Sequence, residues 1–71
     1  MRYFFSTNSG GIPINVYRFD LKSGIEQSWY KTRWSDTDTV SKFLVLGDGW
    51  LEEVDEQTAK KAFPQAFKDL N

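Results

Sequence analysis

The fold of this chain is decided by residues 42–67, which read KFLVLGDGWLEEVDEQTAKKAFPQAF. The apolar run FLVL at 43–46 is typical of a strand buried on both faces of a sheet. It is followed by the pair Asp48-Gly49, which favours a two-residue turn because such a turn needs positive φ at both positions. We therefore predict a β-hairpin with strands at 42–46 and 50–54, in which apolar side chains meet across the ladder.

A helix is predicted to follow this hairpin. Asp55 is suited to cap the helix N-terminus, and the helix itself begins at about residue 56. Pro64 cannot donate a backbone hydrogen bond and crowds the preceding turn, so it either kinks the helix or opens a second short one. One face of the helix is apolar at three- and four-residue spacing and needs a sheet to cover. The residues predicted to be buried on this face are Ala59, Ala62, Phe63, Ala66 and Phe67, packed against Phe43, Val45 and Val54.

The first half of the chain predicts three more strands, at 2–5, 14–20 and 25–33. A turn at 21–24 joins the last two strands into a hairpin, and it ends in a glycine suited to positive φ. A slip of one residue in the pairing would exchange the two faces of this hairpin. In the predicted register, side-chain alternation places Tyr17, Phe19, Tyr30 and Trp34 on one face, and Val16 and Trp29 on the other.

Together these elements predict a single α+β domain spanning residues 1–71. Its core structure is a mainly antiparallel β-sheet of about four or five strands, built from hairpins, with one C-terminal α-helix packed on it. A chain of 71 residues is long enough to form only one hydrophobic core. The composition is that of a globular chain, with 39% hydrophobic residues and a net charge of −1. Since cysteine is absent, packing must hold the core together without disulfides.

The sequence argues against catalysis, because it contains no histidine and no cysteine. These are the commonest general base near neutral pH and the most nucleophilic side chain. Asp36 and Asp38 have a spacing found in oxygen-ligand cation loops, but the further ligands do not follow, so a solvated turn is favoured. We predict a non-enzymatic protein with no catalytic residue, no cofactor and no metal site. A further carboxylate cluster is interpreted as a solvated strand end and helix start, at Glu52, Glu53, Asp55 and Glu56.

The whole sequence gives expectations for the cellular location of the protein and for the distribution of charge along the chain. The N-terminal apolar stretch at 1–5 is shorter than the apolar region of about 7–15 residues in a signal peptide. Nothing approaches the roughly 20 apolar residues of a membrane span, so a cytoplasmic protein without membrane association is expected. Residues 1–34 have five basic and two acidic side chains, giving +3, and residues 35–71 have four and eight, giving −4.

Aromatic and basic residues interleave in the first hairpin, and this hairpin is the predicted contact surface. Eight of the twelve aromatic residues precede residue 35. One helix cannot cover all of them on both faces of a sheet, so some rings should remain exposed. Exposed Trp, Tyr and Arg side chains are the common anchors of protein interfaces. The predicted partner-binding residues are Tyr17, Arg18, Trp29, Tyr30, Lys31, Arg33 and Trp34.

The preferred function is a small protein-interaction module. Its partner is another protein or, in a variant of the same hypothesis, a second copy that pairs through an edge strand. The alternative is a single-stranded nucleic-acid-binding protein, in which bases stack on the rings and phosphates contact the cations. The pI of about 5.2 favours a protein partner, because nucleic-acid binding would have to rely on local charge. A plainer interpretation also remains, in which the rings are core and the cations are solvated.

The stretch GDGWLEEV at 47–54, which leads into EQTAKKAFP at 56–64, resembles the ends of small uncharacterised proteins from bacteria and their phages. The resemblance covers about a third of the chain. It implies a bacterial or phage accessory protein. It transfers neither an activity nor a functional residue to this sequence.

Overall fold

Five strands form one antiparallel sheet in the computed structural model, which describes residues 1–30 and 32–70. In chain order the strands are β1 (Arg2–Thr7), β2 (Pro13–Asp20), β3 (Ile25–Tyr30), β4 (Arg33–Asp36) and β5 (Glu52–Val54). Across the sheet the order is β4-β3-β2-β1-β5. With the helices described below, this architecture confirms the predicted α+β class.

The β2–β3 hairpin has the predicted turn, with Asp20 opposite Ile25. Gly24 has a φ of 73°, a backbone conformation that residues with a side chain rarely adopt. The Asp20 carboxylate accepts hydrogen bonds from the Ser23 hydroxyl at 2.8 Å and from the Lys22 amide at 3.3 Å. The bond from Ser23 is the main cause that lowers the pKa of Asp20. Local turn chemistry is therefore sufficient to set this register.

The predicted strand 25–33 is wrong at its end. β3 stops at Tyr30, and the chain reverses into β4. In the β3–β4 pair, Trp29 lies opposite Trp34. Because residues directly opposite each other share a face of the sheet, Trp34 lies on the face of Trp29 and not, as predicted, on that of Tyr17.

One face of the sheet, called the front face, is covered by α2 (Glu56–Ala62) and by a 3-10 helix (Pro64–Leu70). Asp55 caps α2 as predicted, since its carboxylate accepts a hydrogen bond of 2.7 Å from the Thr58 amide. Hydrogen bonding at Thr58 lowers the pKa of Asp55. Pro64 opens a second short helix, which is one of the two predicted outcomes. The front-face core consists of Tyr3, Phe5, Val16, Ala59, Ala66 and Phe67, with Trp29, Trp34, Val54 and Phe63 packed against it.

The predicted contacts of the C-terminal helix are correct only in part. Val54 packs on the front-face core as predicted, but Phe43 belongs to the opposite face and Val45 is exposed. The helix type changes at Pro64, so the predicted apolar stripe is not continuous. Of the residues predicted to be buried, Ala59, Ala66 and Phe67 are buried, Phe63 is half-buried and Ala62 is exposed.

The opposite face, called the back face, is covered by a helical segment where a strand was predicted. α1 (Thr39–Ser41) continues directly into a π-helix (Lys42–Leu46), so the predicted strand at 42–46 is wrong. Val40, in α1, is fully buried against the sheet, with 0% of its surface exposed. The back-face core consists of Phe4, Phe19, Val40 and Leu51, with Tyr17 and Phe43 packed against it.

Two sets of contacts hold segment 39–46 in helical form. The Glu26 carboxylate of β3 accepts hydrogen bonds from the Ser41 amide at 2.8 Å and from the Ser41 hydroxyl at 2.5 Å. At the other end, Gly47 has a φ of 73°, and its amide donates to two carbonyl oxygens of the preceding turn. This is the usual geometry of a helix C-terminus. Gly47 therefore ends a helix and does not lead into a hairpin turn.

β5 pairs with β1, with Phe4 opposite Glu53. The predicted hairpin around Asp48-Gly49 is therefore wrong. Arg2 joins the two strands through hydrogen bonds of 2.9 and 2.8 Å to Glu53, and this contact lowers the pKa of the Glu53 carboxyl. Within the described residues, no helix has the length and hydropathy needed to cross a membrane.

Candidate functional site

The residues predicted to form one contact surface are divided between the two faces of the sheet. Tyr17 packs against the back-face core, and strand alternation places Tyr30 and Arg33 on the same face. Lys31 lies outside the described residues. The members found on the front face are Arg18, Trp29 and Trp34.

Trp34 is engaged in packing on the front face. Its indole Nε1 donates a hydrogen bond of 3.0 Å to the carbonyl oxygen of Ala66. Its ring stands edge-on to Trp29 and to Phe67, with centroid distances of 5.6 and 6.0 Å, an arrangement that aromatic pairs favour. These contacts join β4 to the 3-10 helix, so Trp34 stabilises the fold through packing and hydrogen bonding.

Arg18 is also engaged within the domain. Its guanidinium carbon lies 4.3 Å from the centroid of the Trp34 ring, within cation–π range. Its Nε donates a hydrogen bond of 2.7 Å to the side-chain oxygen of Gln27. Burial lowers the pKa of the Arg18 guanidinium. Arg18 is therefore poorly placed to bind a phosphate group.

The β2–β3 ladder opens at the end remote from its turn. Within the described residues, the last pair is Tyr17 with Ser28. Continuing this register would place Val16 opposite Trp29. The Val16 amide donates to the side-chain oxygen of Asn15, at 3.0 Å. At this level β3 still pairs with β4, while the described β2–β3 ladder has ended.

A groove of about 610 Å³ lies at this opening, and we call it the β2–β3 groove. Its volume is within the range of about 300–1,000 Å³ that is typical of binding pockets. Ile14 and Tyr30 are each 61% exposed at the groove. Residues from both faces of the sheet line the groove, which lies at the end of the β2–β3 ladder. Its lining includes Ile14, Trp29 and Phe63 from the front and Asn15, Tyr17 and Tyr30 from the back.

A second apolar surface lies on the π-helix and the loop that follows it. Val45 is 80% exposed and Trp50 is 75% exposed, and Leu44 and Leu46 are also exposed. These four residues are called the 44–50 patch. Trp50 stands edge-on to the ring of Phe43, with a centroid distance of 6.4 Å. The patch follows from the helical form of the segment, because a buried strand would have covered the Leu-Val-Leu run.

Most of the carboxylates singled out in the sequence have partners within the domain. Asp36 accepts a hydrogen bond of 3.2 Å from a glutamine of β3. Asp38 forms an ion pair with Lys42 at 3.3 Å, and Glu56 forms one with Lys60 at 3.4 Å. Across residues 1–30 and 32–70, no group of three or more acidic, histidine or cysteine side chains is arranged to hold a metal ion. These carboxylates are accounted for by structural contacts.

Comparison of the chain with protein-family models, with curated proteins and with solved structures found no match. Its function is therefore argued from its two apolar surfaces. The β2–β3 groove is concave and lies at the end of a strand ladder, whereas the 44–50 patch consists of side chains on a helical turn and loop. Because binding sites are usually concave and apolar with a few polar groups, the groove is the stronger candidate.

Sequence reasoning missed Ile14, Asn15 and Phe63 as residues of the groove. They meet only because the β2–β3 ladder opens at Val16, which is a property of the assembled sheet. Asn15 carried a partial signal, since an Asn side chain within a strand can bond a nearby backbone amide in competition with the ladder. The 44–50 patch was missed because this stretch was predicted to be a buried strand.

Proposed function

We propose that the chain is a small, non-enzymatic protein-interaction module that holds part of a partner protein in the β2–β3 groove. The observation that best supports this is that Tyr17, Trp29 and Tyr30 of the first hairpin line one groove, together with the exposed Ile14. Tyrosine and tryptophan side chains supply much of the binding energy at protein interfaces. In this proposal the contact surface is on the β2–β3 hairpin. Trp34 and Arg18 pack within the domain and stabilise this hairpin.

Single-stranded nucleic acid is the less favoured occupant. Tyr30 and Arg33 are cross-strand neighbours and both are exposed, which would suit a stacked base beside a phosphate. Arg18, however, is engaged by Trp34 and Gln27, so its guanidinium is less available to pair its charge with a phosphate group. A nucleic-acid site depends on such charge for most of its affinity. An apolar protein segment fits the described lining better.

A different protein is favoured over a second copy as the partner. The sheet ends in β4, which has four residues, and β5, which has three. Short edges of this kind are poor templates for pairing with another copy. β5 also exposes Glu52 and Glu53, and like charges brought together by edge-to-edge pairing would repel.

The proposal is tested by capture of partners from nuclease-treated native extract. Ile14→Asn and Tyr30→Ser remove apolar surface at the groove, and both side chains are exposed, so stability should change by only about 0.5–1 kcal/mol. We expect each variant to reduce capture of the specific partner about tenfold or more, as truncation of an interface anchor does.

The matched control is Trp50→Ser, which removes an exposed ring from the 44–50 patch and should leave capture unchanged. Capture that both groove variants retain in full would contradict the proposal. Capture lost only in Trp50→Ser would move the contact surface to the 44–50 patch. A partner that is captured from untreated extract but not from nuclease-treated extract would instead support nucleic-acid binding.

A further inference from the structure

We infer that the β2–β3 groove binds a proline-rich segment of the partner in the polyproline II conformation, with an acidic residue beside it. This inference rests on the proposed function and names the chemistry of the bound segment. Three features of the groove support it: aromatic rings that the core holds in place, side-chain groups that can donate hydrogen bonds to a ligand, and an arginine at the rim.

The apolar part of the groove contains rings that pack against the core. Trp29 and Phe63 both line the groove. Trp29 stands edge-on to Trp34, with a centroid distance of 5.6 Å, and Phe63 stands edge-on to Phe5, at 5.5 Å. Because these rings are already ordered, little side-chain entropy is lost when a ligand contacts them. Aromatic-lined grooves recognise proline-rich segments, whose polyproline II helix is preformed.

Asn15 offers a ligand in the groove a hydrogen-bond donor. Its side-chain oxygen accepts the hydrogen bond of 3.0 Å from the Val16 amide, so the group left for a ligand is the Nδ2 amide, which has two N–H bonds. Within residues 1–30 and 32–70 this amide has no acceptor. Trp29 carries a second donor, because its indole N–H, unlike that of Trp34, has no acceptor in the described part of the chain.

A proline-rich segment matches these donors. Its backbone presents carbonyl oxygens, whereas proline has no N–H. Another extended peptide would bring backbone N–H groups into the groove, and those left without an acceptor would reduce its affinity. β2 and β3 are interior strands with a neighbour on each side, so they provide no free sheet edge for such groups. The hydroxyls of Ser6 and Tyr17 can donate or accept, so they favour neither kind of ligand.

The arginine at the rim of the groove predicts an acidic residue in the ligand. Among the described residues that line the groove, none is charged. Arg33 lies opposite Tyr30 in the β3–β4 pair, so the two side chains are neighbours on the back face. Arg33 is exposed, and the ion pairs of the described residues do not include it. A carboxylate beside the proline-rich part of the ligand can therefore pair with this guanidinium.

The test begins with selection from a library of random linear peptides on the immobilised full chain, with counter-selection against the Ile14→Asn variant. A polyproline II helix has three residues per turn, so the selected peptides should share prolines at positions i and i+3, next to an aspartate or glutamate. Replacing both prolines of a selected peptide by alanine should weaken binding about tenfold or more. Groove-dependent peptides without this proline pattern would contradict the inference.

A charge exchange tests the acidic residue. A selected peptide with lysine in place of its acidic residue should bind the wild-type chain about 3- to 5-fold more weakly at low salt. In the Arg33→Gln variant the acidic peptide and the lysine peptide should bind about equally. Arg33 is exposed, so this variant should fold like the wild-type chain. A preference for the acidic peptide that persists in Arg33→Gln would contradict the pairing with Arg33.

Asn15→Asp isolates the hydrogen-bond donor. The aspartate keeps an oxygen for the Val16 amide but has no N–H to donate to the ligand. The ligand for this test is a selected peptide with glutamine in place of its acidic residue, so that charge repulsion does not contribute. Its binding should fall about 5- to 10-fold. Urea denaturation verifies that the variant is folded, and unchanged binding would contradict the inference.

Failure of this inference can be told apart from failure of the proposed function. Selection may yield no peptide, or peptides without the proline pattern, while Ile14→Asn and Tyr30→Ser still reduce capture of a partner protein. That result would overturn the proline-rich ligand and leave the interaction module standing. Capture that does not depend on the groove variants would overturn both.

Discussion

Val40→Asp is expected to leave the domain mostly unfolded. Val40 is fully buried in the back-face core, beside Phe4, Phe19 and Leu51. An aspartate at this position would be a buried charge without a partner, at a cost of about 4 kcal/mol or more. Domains of 71 residues have a total stability of about 4–10 kcal/mol, so this loss removes most or all of it. Urea denaturation followed by tryptophan fluorescence measures the effect.

Val45→Asp is the matched control for this experiment. Val45 is 80% exposed on the π-helix, so the same substitution should change stability by about 0.5 kcal/mol or less. The pair of variants distinguishes the helical segment from the strand that the sequence predicts at 42–46. If both variants were equally destabilised, Val45 would have to be buried, and the helical form of this segment would be wrong.

Trp34→Ala is expected to have the second-largest effect, a loss of about 3 kcal/mol or more. The substitution removes the edge-on contacts with Trp29 and Phe67, the platform under Arg18 and the hydrogen bond to Ala66. Trp34→Phe keeps a ring but lacks the indole N–H, so it should lose about 1–2 kcal/mol. The midpoint of urea denaturation, compared across the two variants, separates these contributions.

Trp50→Ala provides the comparison for Trp34. Trp50 is also a tryptophan, but it is 75% exposed and its ring contact is with Phe43 alone among the described aromatic pairs. Its substitution should cost less than about 1 kcal/mol. If Trp34→Ala were tolerated as well as Trp50→Ala, Trp34 would be a surface residue available to a partner, as the sequence suggests.

Elements specified by local chemistry were predicted correctly. The β2–β3 turn follows from Gly24 at positive φ and from the hydrogen bonds of Asp20. The start of α2 follows from the Asp55 cap, and its end from Pro64. In each case the residues that decide the structure are within a few positions of one another. Such features can be read from a single sequence.

Segment 39–46 could not be predicted in the same way, because long-range contacts decide its form. The acceptor for Ser41 is Glu26, fifteen residues earlier on β3. The partner of β5 is β1, at the other end of the chain. A local helical signal was present, since Val40 and Phe43 are three residues apart and both pack on the back-face core. The apolar run and the Asp-Gly pair favoured a hairpin, and the tertiary contacts outweighed them.

The candidate site was also predicted only in part, because its geometry depends on long-range contacts. The sequence indicated that the first hairpin had more aromatic rings than one helix could cover, and Tyr30 is indeed exposed. The unpredicted helical segment covers the back face, so Phe4 and Phe19 are buried there. Which rings meet in a groove depends on where the β2–β3 ladder opens, and that follows from packing on both faces. The sequence therefore indicated that some rings of this hairpin are exposed, but not how they are arranged.

The central claim, that the β2–β3 groove is the contact surface, is tested most directly by amide hydrogen exchange of the chain alone and in complex with its captured partner. Exchange at residues 14–16 and 29–30 should slow in the complex, because partner contacts shield the backbone amides at these positions from solvent. Exchange at residues 44–50 should be unchanged. Slower exchange at 44–50, with residues 14–16 and 29–30 unaffected, would contradict the claim and assign binding to the 44–50 patch.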